Sequence, residues 1–199
     1  MGYHHLAFAS RDMQATHRFY SDVLGFELVK AVAAPTDRPG GWAKHLFYAI
    51  GDHDGSENAA ALIAFWELHD ERMDGKDTAI STGLGFEAWV NHVAFAADDL
   101  DDIARRREQW LGAGVDVMEI DHGFCTSIYT MDPNGILVEF CTDTAPYSAE
   151  DRERALSILR DDSPELESPP MPVFHSAAEH AARVQVPEPV ASAAGIPTT

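Results

Sequence analysis

The sequence predicts an α+β protein in which two βαβββ modules pair into a cup-shaped mixed sheet, followed by a C-terminal helix and an extended tail. Three observations carry that prediction. The segment His5-Leu6-Ala7-Phe8-Ala9 recurs as His92-Val93-Ala94-Phe95-Ala96; at the same offset Asp12 falls on Asp99 and Leu24-Gly25 on Leu111-Gly112. Self-similarity in register over such a length marks a duplicated supersecondary unit. Each copy alternates small and large residues with the period of two expected of a half-buried strand, and each is followed by apolar residues at helical spacing.

In the first strand of each copy, His5, Ala7 and Ala9, or His92, Ala94 and Ala96, share one face. The bulkier Leu6 and Phe8, or Val93 and Phe95, take the other and can pack under a helix. Asp12 and Asp99 are placed to cap those helices. Their buried faces are expected to carry Met13, Thr16, Tyr20 and Val23 in one copy and Leu100, Ile103, Arg107 and Trp110 in the other. Gly25 and Gly112 stand where a left-handed stop is wanted. Three strands should follow each helix, at about 26-32, 43-50 and 59-68 and at about 115-120, 124-131 and 136-142. The loops Pro35 to Gly41 and Asp52 to Asn58 have the Pro, Gly and Asp content of turns. These boundaries divide the chain into residues 1-145, with modules at about 3-70 and 88-143, and an appendage at 146-199. Ser148 to Asp161 reads as a short capped helix with Ala155, Leu156 and Leu159 on one side. From Ser163 the Pro- and Ala-rich chain reads as extended, its His175 and His180 solvated.

Composition narrows the function. With 199 residues, 45% hydrophobic and 24% charged, the chain can bury one good core. A formal net charge of -19, with no basic block, disfavours nucleic acid and anionic membrane surfaces as partners. No apolar run approaches bilayer length, and the first residues lack a basic segment followed by an apolar one, so the expected location is cytoplasmic. Cys125 and Cys141 are too few for a disulfide framework and read as small buried hydrophobes.

The chemistry gathers on three side chains. A lone histidine at the head of a strand is ordinarily structural, but His5 and His92 hold equivalent positions of a repeat. The tight turn Asp132-Pro133-Asn134-Gly135 then leads into Ile136-Leu137-Val138-Glu139-Phe140, where alternation sets Leu137 and Glu139 on one face. A carboxylate amid such residues is costly unless paired or coordinated. If that face lines the cup, Glu139 meets both histidines, and two imidazoles with one carboxylate form a facial triad for a divalent metal. Fe(II) is the commonest occupant for oxygen chemistry, while Mn, Ni, Zn or Co accept the same ligand types.

The paired His-x-Ala-Phe-Ala segments, Phe19-Tyr20 with Val23-Leu24-Gly25-Phe26, and Asp132-Pro133-Asn134-Gly135 before Glu139 resemble the glyoxalase, bleomycin-resistance and extradiol-dioxygenase (vicinal oxygen chelate) superfamily from residue 3 to about 143. The resemblance implies His5, His92 and Glu139 as metal ligands and a homodimer. A narrower likeness joins Ile120, Asp121, His122, five residues, Ile128, Tyr129, Thr130, Met131, Asp132, Pro133, Asn134, Gly135 and Glu139 to the extradiol dioxygenase pattern. It implies that His122 hydrogen-bonds the catecholate or oxygen and that Tyr129 holds a substrate hydroxyl.

The expected function is therefore a metal-dependent oxidoreductase, an Fe(II) extradiol-type dioxygenase acting with oxygen on a catecholic small molecule. One departure counts against it: where well-known members carry paired histidines before the fourth strand, this chain has Glu57-Asn58-Ala59-Ala60, with His45 as the nearest substitute. The alternatives are a glyoxalase-like isomerase or lyase, with Glu67 or the position of Phe65 supplying a fourth ligand and base, and a non-enzymatic binder of flat ligands in a cup of Trp42, Phe47 and Trp66. No glycine-rich phosphate loop calls for a nucleotide cofactor.

Overall fold

The computed structural model of the chain describes residues 3-50, 61-73 and 75-184. The duplicated pattern folds as two mixed sheets. The first contains β1 (His5–Ala9), β2 (Glu27–Pro35), β3 (Trp42–Ala49) and β4 (Leu62–His69) in the order β1-β4-β3-β2. The second contains β5 (His92–Ala96), β6 (Val117–Asp121), β7 (Cys125–Met131), β8 (Leu137–Asp143) and β9 (Val173–His175) in the order β5-β8-β7-β6-β9. In both, the first strand runs parallel to the last strand of its module and the remaining module pairs are antiparallel. Each βαβββ unit thus sets its first strand beside its last and leaves its sheet open.

Those helices start where the aspartates stand. Asp12 accepts from Ala15 N–H at 2.9 Å to open α1 (Met13–His17), and Asp99 accepts from Asp102 N–H at 2.8 Å to open α2 (Leu100–Gly112). The first helix widens into a π turn over Arg18–Val23, with Leu24 N–H donating to the Phe19 carbonyl. Gly25 then takes the left-handed conformation, φ 79°, as the repeat predicts. In the second copy the stop falls later: Gly112 is still helical and Gly114 takes φ 83°. There Gly114 N–H reaches back to Leu111 and Val115 N–H to Trp110, so the regular helix runs past the point where the π turn ends.

One core serves both modules. Met13, Phe19, Tyr20 and Phe26 from the first pack with Phe95, Ile103, Trp110 and Phe140 from the second, Phe26 meeting Phe95 edge-on at 5.0 Å between ring centres. In the second copy the larger residue of each alternating pair is the inward one, Val93 and Phe95 being buried and His92, Ala94 and Ala96 exposed; in the first, Leu6 stays exposed and only Phe8 packs against the core. Arg107, read as part of the buried stripe, instead lays its guanidinium against Glu119 at 2.6 Å.

The expected C-terminal helix is present as α3 (Ala149–Arg160), capped by Ser148 and Asp151 in reciprocal hydrogen bonds. Beyond it the tail contributes more than an extended run. Strand β9 adds to the edge of β6, and α4 (Ala177–Val184) lies on α2. This corrects the reading of the two tail histidines as solvated: His175 Nε2 bonds Glu119 at 3.0 Å and His180 Nδ1 lies 3.5 Å from Glu108. Among the described residues no helix is long and apolar enough to cross a membrane.

Candidate metal centre

Strand register decides which side chains share a face. In the second sheet Ala94 pairs with Glu139 and Glu139 with Tyr129, so Glu139 stands on the face of His92 and Ala94, away from the core. Its position depends on the turn before β8. Asp132 accepts from Asn134 N–H and Ile136 N–H, both at 2.8 Å, and from Tyr20 Oη at 3.1 Å. Burial raises the Asp132 carboxyl above its ordinary range, and these donors hold it in place. Gly135 has φ 79°, and a Cβ there would come within 2.8 Å of Ala79 Cβ, so only glycine closes this turn without displacing its neighbour.

On that face four side chains form a continuous polar run. His122 Nε2 lies 3.0 Å from Tyr129 Oη, Tyr129 Oη donates to Glu139 Oε1 at 3.1 Å, and Glu139 Oε2 lies 3.0 Å from His92 Nε2. Burial raises the Tyr129 hydroxyl above the ordinary tyrosine value, so it remains a donor. Glu139 is only 5% exposed, and Tyr129 and His92 are what face its two oxygens. At the far end His92 Nδ1 contacts the Trp89 carbonyl at 2.8 Å. A carbonyl can only accept, so Nδ1 donates to Trp89 and Nε2 is the ring atom left facing Glu139 Oε2. A ring nitrogen 3.0 Å from a carboxylate oxygen is joined to it by a proton on Nε2 or by a metal ion in the proton's place. An imidazole and a carboxylate so placed are two donors of the types that a divalent metal accepts, with the Trp89 carbonyl orienting the ring.

His5 is placed elsewhere. It stands on the corresponding face of the first sheet, its ring 6.3 Å from that of His45 and 5.6 Å from that of Phe47, with Nδ1 2.8 Å from His4 Nδ1. Among the described residues no three His, Cys, Asp or Glu side chains are grouped to hold an ion. The structure thus brings together His92, Glu139, Tyr129 and His122, and does not join His5 to them within one chain.

The remaining candidates sort by face. His5 pairs with Leu62 and Ala7 with Ala64, which puts Leu62, Ala64 and Trp66 on the His5 side of β4 and turns Phe65 and Glu67 to the helix side. Neither position considered for a fourth ligand points toward His5. Glu67 is held by Lys44 and His69, both at 2.9 Å, and by Met13 N–H at 3.3 Å. Burial pushes its carboxyl up, but those hydrogen bonds and the Lys44 charge bring it below the usual value. Trp42 also leaves the expected aromatic cup, stacking on His69 at 3.7 Å, while Phe47 and Trp66 remain there around His45. His45 is buried by Trp66, stacked at 3.8 Å, and its Nε2 has no hydrogen-bond partner among the described residues. This ring stands beside that of His5, 6.3 Å between centres. Burial, with His5 nearby, lowers its pKa. The segment Glu57-Asn58-Ala59-Ala60 and the loop Asp52 to Asn58 lie outside the described residues.

Comparison with known proteins agrees with this architecture. Residues 2–140 match the model of the Glyoxalase/Bleomycin resistance protein/Dioxygenase superfamily. A curated relative, biphenyl-2,3-diol 1,2-dioxygenase 2 of Rhodococcus globerulus, is 33% identical over 78 residues, which span 39% of this chain and 41% of that protein. Among solved structures, a glyoxylase/bleomycin resistance protein/dioxygenase domain from Frankia is 18% identical, with a TM-score of 0.52 over 72% of this chain and 98% of that one. A mutant fosfomycin resistance protein from Listeria monocytogenes, solved with Mn(II) and 1S,2S-dihydroxypropylphosphonic acid, is 20% identical, with a TM-score of 0.48 over 76% and 97%. The duplicated βαβββ sheets and the match over residues 2–140 lead to one conclusion: the chain belongs to the Glyoxalase/Bleomycin resistance protein/Dioxygenase superfamily.

Proposed function

We propose that this chain is a metal-dependent oxidoreductase, an Fe(II) extradiol-type dioxygenase that opens a catecholic ring. The observation that carries the reading is the position of Tyr129, whose hydroxyl lies between His122 and the Glu139 carboxylate while His92 holds the other carboxylate oxygen. The similarity to a curated diol dioxygenase supports it. The glyoxalase-like alternative needs a carboxylate near His5 on β4, and Glu67 faces the opposite side.

His92 and Glu139, with His5 as third ligand, would hold the metal. Bound there, iron would supply the one-electron chemistry by which a catecholate and dioxygen react. The protein's own groups do the positioning. Tyr129 Oη can exchange its bond to Glu139 for one to a substrate hydroxyl. His122 keeps the phenol oriented and can hold a proton passed along Tyr129 Oη. His45, whose Nε2 has no partner among the described residues, stands beside His5 as a second group able to hold a proton.

Because His5 lies apart from the pair within one chain, the reading takes it from a second copy in a homodimer. Mixing His5→Ala and His92→Ala chains by co-refolding then restores one intact site per mixed dimer. Activity that stays absent in the mixture would rule out the shared site. The reaction itself is tested by anaerobic reconstitution with Fe(II), then oxygen uptake and visible absorbance with a small catechol panel. Uptake matching ring-opened product one to one is the expected result; metal binding without oxygen consumption would remove ring cleavage.

A further inference from the structure

The run that ends at His92 begins a longer, apolar surface. Across the second sheet Glu139 pairs with Tyr129, Tyr129 with Met118 and Met118 with Phe174, so these four side chains stand in one row on β8, β7, β6 and β9. One step along the strands, Leu137 pairs with both His92 and Met131. Over this surface lies a cavity of about 510 Å³, lined by Tyr129, Met118, Met131, Leu137 and Phe174. Its size suits a small organic molecule.

Two side chains leave apolar surface open on this face. Phe174 is 74% exposed, in a row that also carries Tyr129 and Glu139, 8% and 5% exposed, and Met131, one step along the strands, is 44% exposed. Large apolar side chains clustered in this way mark a binding surface, and methionines adapt their shape to what they cover. Asp116 and Glu179 also line the cavity, so an anionic substituent would be repelled. The tail supplies the outer wall, since Phe174 sits in β9 and β9 is held by its ladder to β6.

We propose that β9 is part of the substrate site. Phe174, with Met118 and Met131, receives a flat, uncharged apolar body carried beside the reacting hydroxyls, and so selects aryl-extended diols over bare ones. This rests on the diol reading of the site for its polar end, but the wall itself can be tested without it.

The full-length chain is titrated with N-phenyl-1-naphthylamine, a neutral apolar fluorophore, in wild type, Phe174→Ala and Met118→Ala. Catechol and naphthalene-2,3-diol are then used as competitors. Because Phe174 is mostly exposed, its truncation should leave the melting temperature unchanged. The expected result is probe binding weakened about tenfold in Phe174→Ala, in line with loss of a phenyl contact, and a naphthalenediol preference that falls with it. Phe174→Leu should restore part of the affinity. If the probe binds and the variants weaken it but neither diol displaces it, the wall stands and the diol reading falls. If wild type does not bind the probe, or both alanine variants bind it as wild type does, the proposal is overturned.

Discussion

The two sheets come from one repeated pattern, yet only one carries a polar relay. Strand pairing makes the comparison residue by residue. His5 corresponds to His92, Ala7 to Ala94, and the partner of each alanine on the last strand is Ala64 in the first sheet and Glu139 in the second. The next strand places Phe47 against Ala64 and Tyr129 against Glu139. The first sheet thus keeps the histidine and has a methyl where the second has a carboxylate, and a phenyl where the second has a phenol. His45 and Ser127 occupy corresponding places one step on, and both retain a buried polar atom without a partner among the described residues. The duplication preserved the strands, caps and core, which any βαβββ unit needs. The polar network diverged, because a buried carboxylate is tolerated only where donors or a cation meet it.

Removing what distinguishes the second sheet should have effects graded by distance from the His92–Glu139 pair. The largest is expected for His92→Ala, which leaves the Glu139 carboxylate without its strongest partner. Stoichiometric metal, measured by elemental analysis after Fe(II) loading, should fall more than about a hundredfold in affinity while circular dichroism stays native. Metal retained at one per chain would refute the ligand assignment.

Next is Tyr129→Phe, which converts the second sheet toward the first. Metal content should hold while kcat/KM drops by about ten- to a hundredfold. Unchanged kinetics would remove Tyr129 from the site. His122→Ala acts one bond further out, and a loss of roughly tenfold is expected, carried by kcat rather than KM. A rise in KM alone would make His122 a binding group instead.

The smallest effect concerns Glu67, the carboxylate on the opposite face. Metal content and turnover should not change in Glu67→Gln. Its folded-state pKa lies below the usual glutamate value, so the ion pair stabilises the fold above that usual value and the contribution fades as pH falls through the folded one. Melting temperature measured from pH 6 to 3 should therefore decline more steeply in wild type than in Glu67→Gln. Parallel curves would show that Lys44 and His69 contribute nothing through this group.

Reading the chain alone, the caps at Asp12 and Asp99, the inward Val93 and Phe95 and the facing of Leu137 with Glu139 were all legible, because they follow from local chemistry and a period of two. Relations between strands were not legible. The sequence offered Phe65 or Glu67 for the first sheet's fourth strand, but a one-residue choice of register reverses every side chain, and the ladder with β1 puts Ala64 and Trp66 on that side instead. The orphaned Nε2 of His45 was equally hidden, since it arises from Trp66 stacking across a strand pair. In the tail, composition pointed to extended chain. Val173–His175 gains order only by meeting the free edge of β6.

By itself, then, the sequence determined the duplicated α+β plan and singled out His5, His92 and Glu139 as candidate donors, because repetition and alternation are written locally along the chain. Only the tertiary structure decided that Glu139 joins His92, Tyr129 and His122 while His5 stands apart, and that Phe174 closes the row. Those outcomes depend on strand register and on which sheet edge remains open, and neither exists until distant segments pair.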